Sequence, residues 1–548
     1  MDVSKLPNHH PTAWDTHFEA LSLPDMFGRS AKASPQAPLL HFLGRTYRYS
    51  ELYADAQAFS RALRAHGIGE GDRVGLFLPN VPSYVAAYYG SMMAGAVVVN
   101  FSPLYTVDEL AQQVADSGTR LLVTVDVPEL YATATKVLRG SALETLVVSS
   151  LANMLPTLKG IALRLFARSK IARVDYGRDI LRWNDLLDEG ARLEGGVAAQ
   201  DPHALALLQY TGGTTGTPKG AMLTHANLSI NAQQTAGLNP FGDPAGEVLM
   251  GALPFFHVFA NTTLLNHAVL TGASIAMVPR FETKQVLETI EKYGATGFPG
   301  VPTMFQALVD HPDLAKTDLS TLKVCISGGA PLPGPLREKF EAATGVRLVE
   351  GYGLTETSPV IAVNTMKDGS VPGSVGPVLP NVELDIVDDA GKPVAQGEVG
   401  EIRVRGITVM KGYWNKPGET KETIDSEGWL RTGDLGHLDE KGRLFISAGR
   451  KKDLIIRAGE NVSPLAIENV LMSHPAIAEV AAVGIPDERL GEKVKVFAVL
   501  HEGQKATEQE LKELCRKKLP AFMTPDTFQF MESLPKTATG KILKSELR

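Results

Sequence analysis

The stretch Tyr210-Thr-Gly-Gly-Thr-Thr-Gly-Thr-Pro-Lys-Gly220 decides much of what this chain can be. Its four glycines allow backbone N–H groups to approach a ligand, while four threonines and Lys219 add hydroxyl donors and a positive charge. Such a segment is typical of a cradle for phosphate oxygens. Pro218 immediately before the lysine excludes a Walker A loop, which needs Gly there. A flexible polar linker is the alternative, but strand-like runs at 204–210 and 221–223 favour phosphate binding.

Length and composition limit the possible classes of protein. A chain of 548 residues is too long for one core and predicts three or four compact units. A net charge of −7 argues against nucleic acid as a partner. Two cysteines, Cys325 and Cys515, offer neither a disulfide framework nor a cysteine metal site. The N-terminus lacks the basic region and apolar core of a signal peptide, so we expect a cytoplasmic protein.

The order of apolar segments predicts an α/β fold. Strands alternate with helices through most of the chain, which indicates parallel sheets covered by helices. Glycine-rich turns at 328–331 and 351–358 follow short apolar strands, where open α/β sheets bind ligands. From about residue 381 the pattern changes to short alternating strands. We therefore expect a large N-terminal domain, 1–449, with helix-covered sheets and a β-rich subdomain, and a small mobile α+β C-terminal domain, 450–548.

Two segments raise the question of a membrane. Residues 74–106 contain no charged side chain, but prolines and glycines divide them into pieces too short to cross a bilayer. Residues 151–174 have no acid and combine apolar residues near helical spacing with five cations, namely Lys159, Arg164, Arg168, Lys170 and Arg173. This pattern predicts either an amphipathic helix on an anionic membrane surface or an ordinary surface helix packed on a sheet.

Five motifs, in order and spacing, resemble the adenylate-forming superfamily of acyl-CoA synthetases, firefly-type luciferases and peptide-synthetase adenylation domains. They are Tyr210–Gly220, Gly351-Tyr-Gly-Leu-Thr-Glu356, Trp429-Leu-Arg-Thr-Gly-Asp434, Gly449-Arg-Lys-Lys-Asp453 and Pro535–Lys541. The resemblance covers essentially the whole chain. Within the superfamily the chain looks most like bacterial long-chain fatty acid–CoA ligases. Plant-type aryl-CoA ligases share much of the same sequence in these motifs.

The resemblance implies two steps: a carboxylate attacks the α-phosphorus of ATP, and the thiol of coenzyme A then displaces AMP. It implies ATP, Mg²⁺ and coenzyme A as cofactor and substrates, and a medium- to long-chain fatty acid as the acid activated. An aryl (coumarate-type) acid and a non-catalytic nucleotide- or acyl-binding relative stay open as alternatives. Among partners, a homodimer and peripheral contact with the inner face of the membrane also stay open.

The resemblance also assigns roles to individual residues. The catalytic group is Lys541, Glu356, Thr355 and Lys219, with Glu356 holding the metal. The ATP and AMP contacts are Thr211, Gly213, Thr214, Thr215, Gly216, Gly328, Gly329, Ala330, Pro331, Tyr352, Gly353, Asp434 and Arg450. Lys452 is the hinge, and the coenzyme A channel takes Gly459, Glu460 and Asn461.

The acyl pocket is expected at His257, Phe256 and Val301. Its candidate segments, Leu253–Leu265 and Phe298–Leu308, contain no acid or base apart from His257. A substrate ammonium group would need a buried carboxylate partner, so we expect a substrate with an apolar, uncharged tail. A core position is the alternative for His257, because a lone histidine among aromatic residues usually belongs to the core.

Overall fold

The computed structural model describes residues 10–197, 200–211, 218–239, 242–366, 370–458, 460–537 and 540–548. For residues 448–450 and 452 it describes the backbone alone. The predictions for Gly213, Thr214, Thr215, Gly216 and Gly459 lie outside the described residues.

One sheet has seven strands and carries the glycine- and threonine-rich stretch at its edge. Its strands are parallel except for the last pair, 205–211 and 219–224, which are antiparallel and flank that stretch. Lys219 opens a strand rather than a helix, as the preceding proline predicts. In spatial order the strands are Ile180–Arg182, Thr145–Ser149, Leu121–Val125, Arg73–Leu76, Val97–Asn100, Leu205–Thr211 and Lys219–Thr224.

A second sheet has eight strands and brings the two glycine-rich turns side by side. Its inner strands are parallel and its two edges are antiparallel. The turns after Ser327 and Gly353 leave neighbouring strands at the same edge, because parallel strands end on one side of a sheet. In spatial order the strands are Val360–Val363, Leu348–Gly353, Val324–Ser327, Gly297–Gly300, Val248–Gly251, Ser274–Met277, Pro38–Phe42 and Arg45–Arg48.

Helices cover both sheets. The helix Pro82–Met93 is buried at every residue, which explains why residues 74–106 lack charge: they fill the core. No helix in the described part of the chain is both long and apolar enough to cross a membrane. The α-helices are Leu23–Ala33, Tyr49–Ala65, Pro82–Met93, Val107–Ser117, Pro128–Gly140, Leu151–Met154, Thr157–Phe166, Trp183–Arg192, His225–Ala236, Val258–Ala260, His267–Thr271, Thr283–Tyr293, Pro302–Asp310, Gly334–Thr344, Pro417–Thr423, Pro464–Leu471 and Glu508–Lys518.

Two five-stranded sheets follow. The third sheet is antiparallel and consists of Ser374–Pro377, Arg443–Arg450, Leu430–Leu438, Gly400–Arg405 and Glu383–Val387. The fourth consists of Glu460–Val462, Ile455–Arg457, Gly491–Leu500 and Ile477–Asp487, with Thr527–Phe530 added beside Gly491–Leu500. The fourth sheet has its own apolar core with its helices. The predicted α/β fold class is therefore confirmed, while the domain boundary at residue 450 stays a prediction.

Candidate active site

A cavity of about 220 Å³, which we call the polar cavity, lies at the edge where the motifs converge. It collects side chains from all parts of the chain because several strand ends and the C-terminal tail meet there. Most of its predicted members come from the glycine- and threonine-rich motifs. The predicted site residues that line it are Thr211, Lys219, His257, Val301, Gly329, Ala330, Gly353, Thr355, Glu356 and Lys541.

Tyr413 connects two of these residues and was missed by sequence reasoning. Its hydroxyl donates to Glu356 Oε1 at 2.7 Å, and the Lys219 ammonium lies 5.2 Å from the centre of its ring. The main chain helps to hold it, because Trp414 N donates to Gly220 O at 2.8 Å. The tyrosine thus fixes the carboxylate and the cation on one wall. An aromatic pair directly after Gly412 was the available signal in the sequence.

The C-terminal tail reaches this cavity through Gly540 and Lys541. Gly540 has φ of +81°, and a Cβ there would lie 2.7 Å from Thr303 Oγ1. Only glycine combines that backbone with so close an approach. The contact brings the following residue, Lys541, to the mouth of the cavity, and its main chain is held by Thr537, which donates from N to Lys541 O at 2.8 Å.

His257 lines both this cavity and a second one. Burial, and to a lesser degree the charge of Lys541, lowers the pKa of His257 to about 4. The imidazole is therefore neutral at pH 7. Its Nδ1 accepts from Phe259 N at 3.3 Å, which places the hydrogen on Nε2. A neutral histidine with one N–H donor can contact a carbonyl or carboxylate oxygen without adding charge to the site.

The second cavity, the apolar cavity, has a volume of about 140 Å³ and a mainly apolar lining. It lies between the second sheet and the helical segment that begins at Val258, from which Phe259, Thr263 and His267 face it at a spacing of four residues. The two cavities meet where they share lining residues, namely His257, Phe259, Gly329, Gly353, Leu354 and Thr355.

The expectation that the pocket contains no acid is wrong. Glu247 lines the apolar cavity, as does His267, and neither belongs to the two segments from which the pocket was inferred. Glu247 precedes an inner strand, and the order of the sheet places that strand beside the pocket. Asn239 Nδ2 donates to Glu247 Oε1 at 2.9 Å, and burial raises the pKa of this carboxyl. Burial lowers the pKa of His267 to about 4.

Tyr352 and Asp434 were predicted to contact adenine and ribose, and the structure joins them directly. The Tyr352 hydroxyl donates to Asp434 Oδ2 at 2.6 Å. Tyr352 lines the apolar cavity, whereas Asp434 is buried behind it and lines neither cavity. Arg450 lies opposite Asp434 in the antiparallel pair of strands 430–438 and 443–450. The two predicted ribose residues are therefore cross-strand neighbours.

Several predicted residues lie elsewhere. Phe256 is buried and lines neither cavity, and Pro331 is also absent from both linings, whereas Gly328 lines the apolar one. Glu460 and Asn461 are exposed on the strand Glu460–Val462 and line neither cavity in this arrangement. The role of Phe256 in an acyl pocket has no support from the geometry.

Glu350 is a second residue that sequence reasoning missed. It stands in the strand Leu348–Gly353, next to the glycine-rich turn, and accepts from Leu332 N at 2.9 Å. Burial raises the pKa of Glu350 to about 8, although the hydrogen bond from Leu332 and the charge of Arg337 oppose that shift. A charged residue directly after two apolar strand residues was the available signal. Its protonated carboxyl sits behind the turn that lines both cavities.

This pKa predicts how stability depends on pH. Between its ordinary value of 4.5 and about 8, folded Glu350 keeps a proton that the unfolded chain has lost, so stability falls as pH rises. We expect a loss of roughly 2 kcal/mol between about pH 6.5 and pH 8 in the wild type, and a smaller one in Glu350→Gln. Thermal unfolding of both proteins measures it, with exposed Glu288→Gln as the control.

The pH range above about 6.5 is chosen because the buried histidines change the stability in the opposite direction at lower pH. The pKa values of His225, His257 and His267 are each lowered to about 4, so their contribution is lost as pH falls below about 6.5. Above that pH they are neutral in both states. Equal slopes for the wild type and Glu350→Gln above pH 6.5 would contradict the prediction.

The polar cavity offers ligands that suit Mg²⁺. The Glu356 carboxylate stands beside the hydroxyl-bearing residues Thr355 and Thr211, and hard oxygen atoms are what this ion prefers. In nucleotide sites Mg²⁺ binds through one or two carboxylates together with phosphate oxygens and water. Among the described residues, no group of three or more His, Cys, Asp or Glu side chains is placed to bind a metal. One carboxylate among hydroxyls fits a metal that arrives with its nucleotide.

The sequence matches the AMP-binding enzyme family over residues 27–414. The chain belongs to this family. Residues 466–541 of this AMP-binding enzyme match the family's C-terminal domain. The membership of the adenylate-forming superfamily that the five motifs predict is thereby confirmed.

Individual relatives of this AMP-binding enzyme are similar along nearly all of its length. The long-chain-fatty-acid–CoA ligase of Bacillus subtilis (strain 168) is 39% identical over 522 residues, which are 94% of this chain and 92% of that protein. The 4-coumarate–CoA ligase 2 of Oryza sativa subsp. japonica is 35% identical and covers 95% of this chain and 91% of its own length. The solved structure of the anthranilate CoA ligase AuaEII in complex with anthranoyl-AMP superposes with a TM-score of 0.84 at 27% identity, over 97% of this chain and 98% of that chain.

Proposed function

We propose that this protein is an ATP-dependent, AMP-forming acyl-CoA ligase that activates a medium- to long-chain fatty acid. The observation that carries the proposal is the junction of the two cavities. A polar cavity with two lysines, a carboxylate and threonines meets an apolar cavity at a neutral histidine. An acid with an apolar tail can place its carboxylate at that junction and its tail among apolar side chains.

In the first step, a carboxylate oxygen of the acid attacks the α-phosphorus of ATP. The bond from that phosphorus to the oxygen bridging to the β-phosphate breaks, and pyrophosphate leaves. Negative charge increases on the leaving group, so cations placed there stabilise the transition state. Lys219 would face the leaving phosphates and Lys541 the carboxylate and α-phosphate. Glu356, held by Tyr413, would hold Mg²⁺, which supplies further positive charge to the phosphates.

In the second step, the sulfur of coenzyme A attacks the carbonyl carbon of the acyl-adenylate. The bond from that carbon to the AMP oxygen breaks, AMP leaves with both electrons, and the thiol proton goes to solvent. Glu460 and Asn461 line neither cavity in the present arrangement. A coenzyme A channel that includes them therefore requires the C-terminal domain to turn, and we place the hinge at Lys452.

An aryl-CoA ligase is the second candidate, and the volume of the apolar cavity favours it. The cavity measures about 140 Å³, and an engineered protein cavity of about 150 Å³ binds benzene. A long acyl chain would need more room, so side chains at the cavity wall would have to move. The relatives favour the fatty acid instead, because the long-chain-fatty-acid–CoA ligase of Bacillus subtilis is 39% identical and the 4-coumarate–CoA ligase 2 of rice 35%.

One screen tests both candidates. Pyrophosphate release and CoA-thioester formation are measured with butyrate, octanoate, palmitate, benzoate and 4-coumarate, and without any acid. The proposal expects the highest kcat/KM for octanoate or palmitate and no pyrophosphate without acid. A maximum at benzoate or coumarate would select the aryl ligase. Pyrophosphate without acid would indicate hydrolysis of ATP to AMP by water, and no turnover would indicate a binding protein.

A matched pair of substrates tests the chemistry of the tail. Dodecanoate should exceed 12-aminododecanoate in kcat/KM by at least about tenfold, because moving an ammonium ion into an apolar cavity is costly. Glu247 is the acid that could accept such an ammonium ion. The expectation would be overturned if the wild type used both substrates at equal rates and Glu247→Gln lost activity with 12-aminododecanoate alone. That result would assign the pocket to a cationic tail.

A further inference from the structure

The helix Thr157–Phe166, which we call the basic helix, exposes its apolar side chains to solvent. The exposed fraction is 82% for Leu158, 87% for Phe166, 56% for Leu165 and 46% for Ile161. A helix packed on a sheet would bury these residues. Only Gly160 is buried within this helix. The packed surface helix is therefore not what the structure shows, and the apolar face lacks a cover among the described residues.

The arrangement around the helix axis is that of an amphipathic helix with its apolar face outward. With about 100° between successive residues, the four exposed apolar residues Leu158, Ile161, Leu165 and Phe166 fall within an arc of about 140°, and the half-buried Leu163 lies outside it. Gly160 points in the opposite direction, toward the protein, where a Cβ would lie 2.4 Å from Ala152 O. Lys159 and Arg164 lie at the two borders of the apolar arc.

The helix is held in place rather than loosely attached. The Tyr47 hydroxyl donates to Met154 O at 2.7 Å, and Arg45 donates to Asn153 O at 3.1 Å. Lys159 Nζ donates to Leu43 O at 3.0 Å. These bonds tie the basic helix and the turn before it to the edge of the second sheet. The apolar arc is thus presented on a fixed platform.

The positive charge around the apolar arc indicates which kind of surface the basic helix binds. Five cations at positions 159, 164, 168, 170 and 173 are exposed, and within the described ranges none forms an ion pair with a carboxylate within 4 Å. The whole chain has a net charge of −7, so this cluster opposes the overall charge. A surface that offers both negative headgroups and an apolar interior satisfies both features.

We propose that the basic helix binds an anionic phospholipid membrane surface, with Leu158, Ile161, Leu165 and Phe166 in the lipid and the cations at the headgroups. The residues of this site line neither cavity, and the site does not depend on the identity of the acid. Ten residues bury little apolar area, so the binding is reversible and depends on salt. It places the enzyme at a membrane surface through a helix of ten residues.

Co-sedimentation with vesicles tests the charge contribution. The wild type should bind vesicles of phosphatidylglycerol and phosphatidylcholine at low salt and not vesicles of phosphatidylcholine alone. Replacing Arg164, Arg168 and Lys170 by Gln should lower the partition coefficient by about fivefold per charge. The control carries the same charge change at exposed sites elsewhere, Lys32→Gln, Lys284→Gln and Lys316→Gln, and should bind like the wild type.

A second variant tests the apolar contribution. Leu158→Ser with Phe166→Ser keeps every charge, and it should still lose most of the binding, because the apolar residues insert into the lipid. All variants should release pyrophosphate from a soluble acid at the wild-type rate, since the replaced side chains are exposed and line neither cavity.

Three outcomes would overturn the proposal. Equal sedimentation with and without phosphatidylglycerol would show that the cations do not contribute to vesicle binding. Equal loss in the charge variant and in the control would mean that the location of the cations does not matter. A wild-type dimer that becomes a monomer in the Leu158→Ser, Phe166→Ser variant, observed by sedimentation velocity, would show that a second copy of the chain covers the apolar arc.

Discussion

Replacing Lys541 by Ala is expected to slow acyl-adenylate formation by a factor on the order of 10²–10³, the usual effect of removing one group that stabilises transition-state charge. The tail places this lysine at the mouth of the polar cavity, where its charge contributes to the lowered pKa of His257. Formation of the thioester from supplied acyl-adenylate should stay near the wild-type rate if the tail has turned away by then. Pyrophosphate exchange measures the first step, and thioester formation measures the second.

Lys544→Ala is the matched control for this variant. Lys544 lies three residues further along the same tail, and its Nζ pairs with Glu468 at 2.6 Å instead of lining either cavity. It should leave both steps close to wild type. If Lys541→Ala slowed both steps equally, the lysine would act throughout the cycle and the domain would not alternate.

Replacing Lys452 by Pro is expected to have the opposite effect. Proline fixes φ near −65°, so a residue that must change its backbone angles between two states loses one of them. Lys452 lies in the turn Lys451–Asp453, directly after the last strand of the third sheet. Adenylate formation should persist, because the present arrangement already brings Lys541 to the polar cavity. Thioester formation should fall by a factor on the order of 10² or more.

The contacts that a rotation must break are few among the described residues. The Gly540 turn rests on Thr303, and His501 Nδ1 lies 3.8 Å from Asp310 Oδ2. Lys452→Ala is the control, because it removes the same side chain and leaves the backbone free. It should retain both half-reactions. Loss of thioester formation in both variants would assign the effect to the side chain instead of to a hinge.

Much of the site could be predicted because each motif is a continuous segment with its own chemistry. The glycine- and threonine-rich stretch, the turn that carries Glu356 and the tail that carries Lys541 each contain the signal within about ten residues. Lys219 begins a strand of the first sheet, Glu356 follows a strand of the second sheet, and Lys541 lies in the C-terminal tail. The structure brings these three residues to one cavity, and this convergence depends on how the two sheets and the tail pack together.

Other members of the site depend on distant contacts. Tyr413 reaches Glu356 across 57 positions in the chain, and Glu247 directly precedes a strand that lies between the strands 274–277 and 297–300 beside the apolar cavity. No local pattern encodes that order of strands. The pocket segments taken from the sequence contained no acid, and the prediction failed because neighbouring strands supply part of the wall.

The sequence by itself determined the family and the fold class, and it predicted the residues for the phosphate chemistry, because these depend on local motifs and their order. Only the tertiary structure decided that the two cavities meet at His257, that Glu350 lies half-buried next to the glycine-rich turn and that Phe256 lies outside both cavities. It also showed that the apolar side chains Leu158, Ile161, Leu165 and Phe166 of the basic helix are exposed. A helical pattern states which residues share a face, but whether that face meets a sheet or solvent depends on packing between segments far apart in the chain.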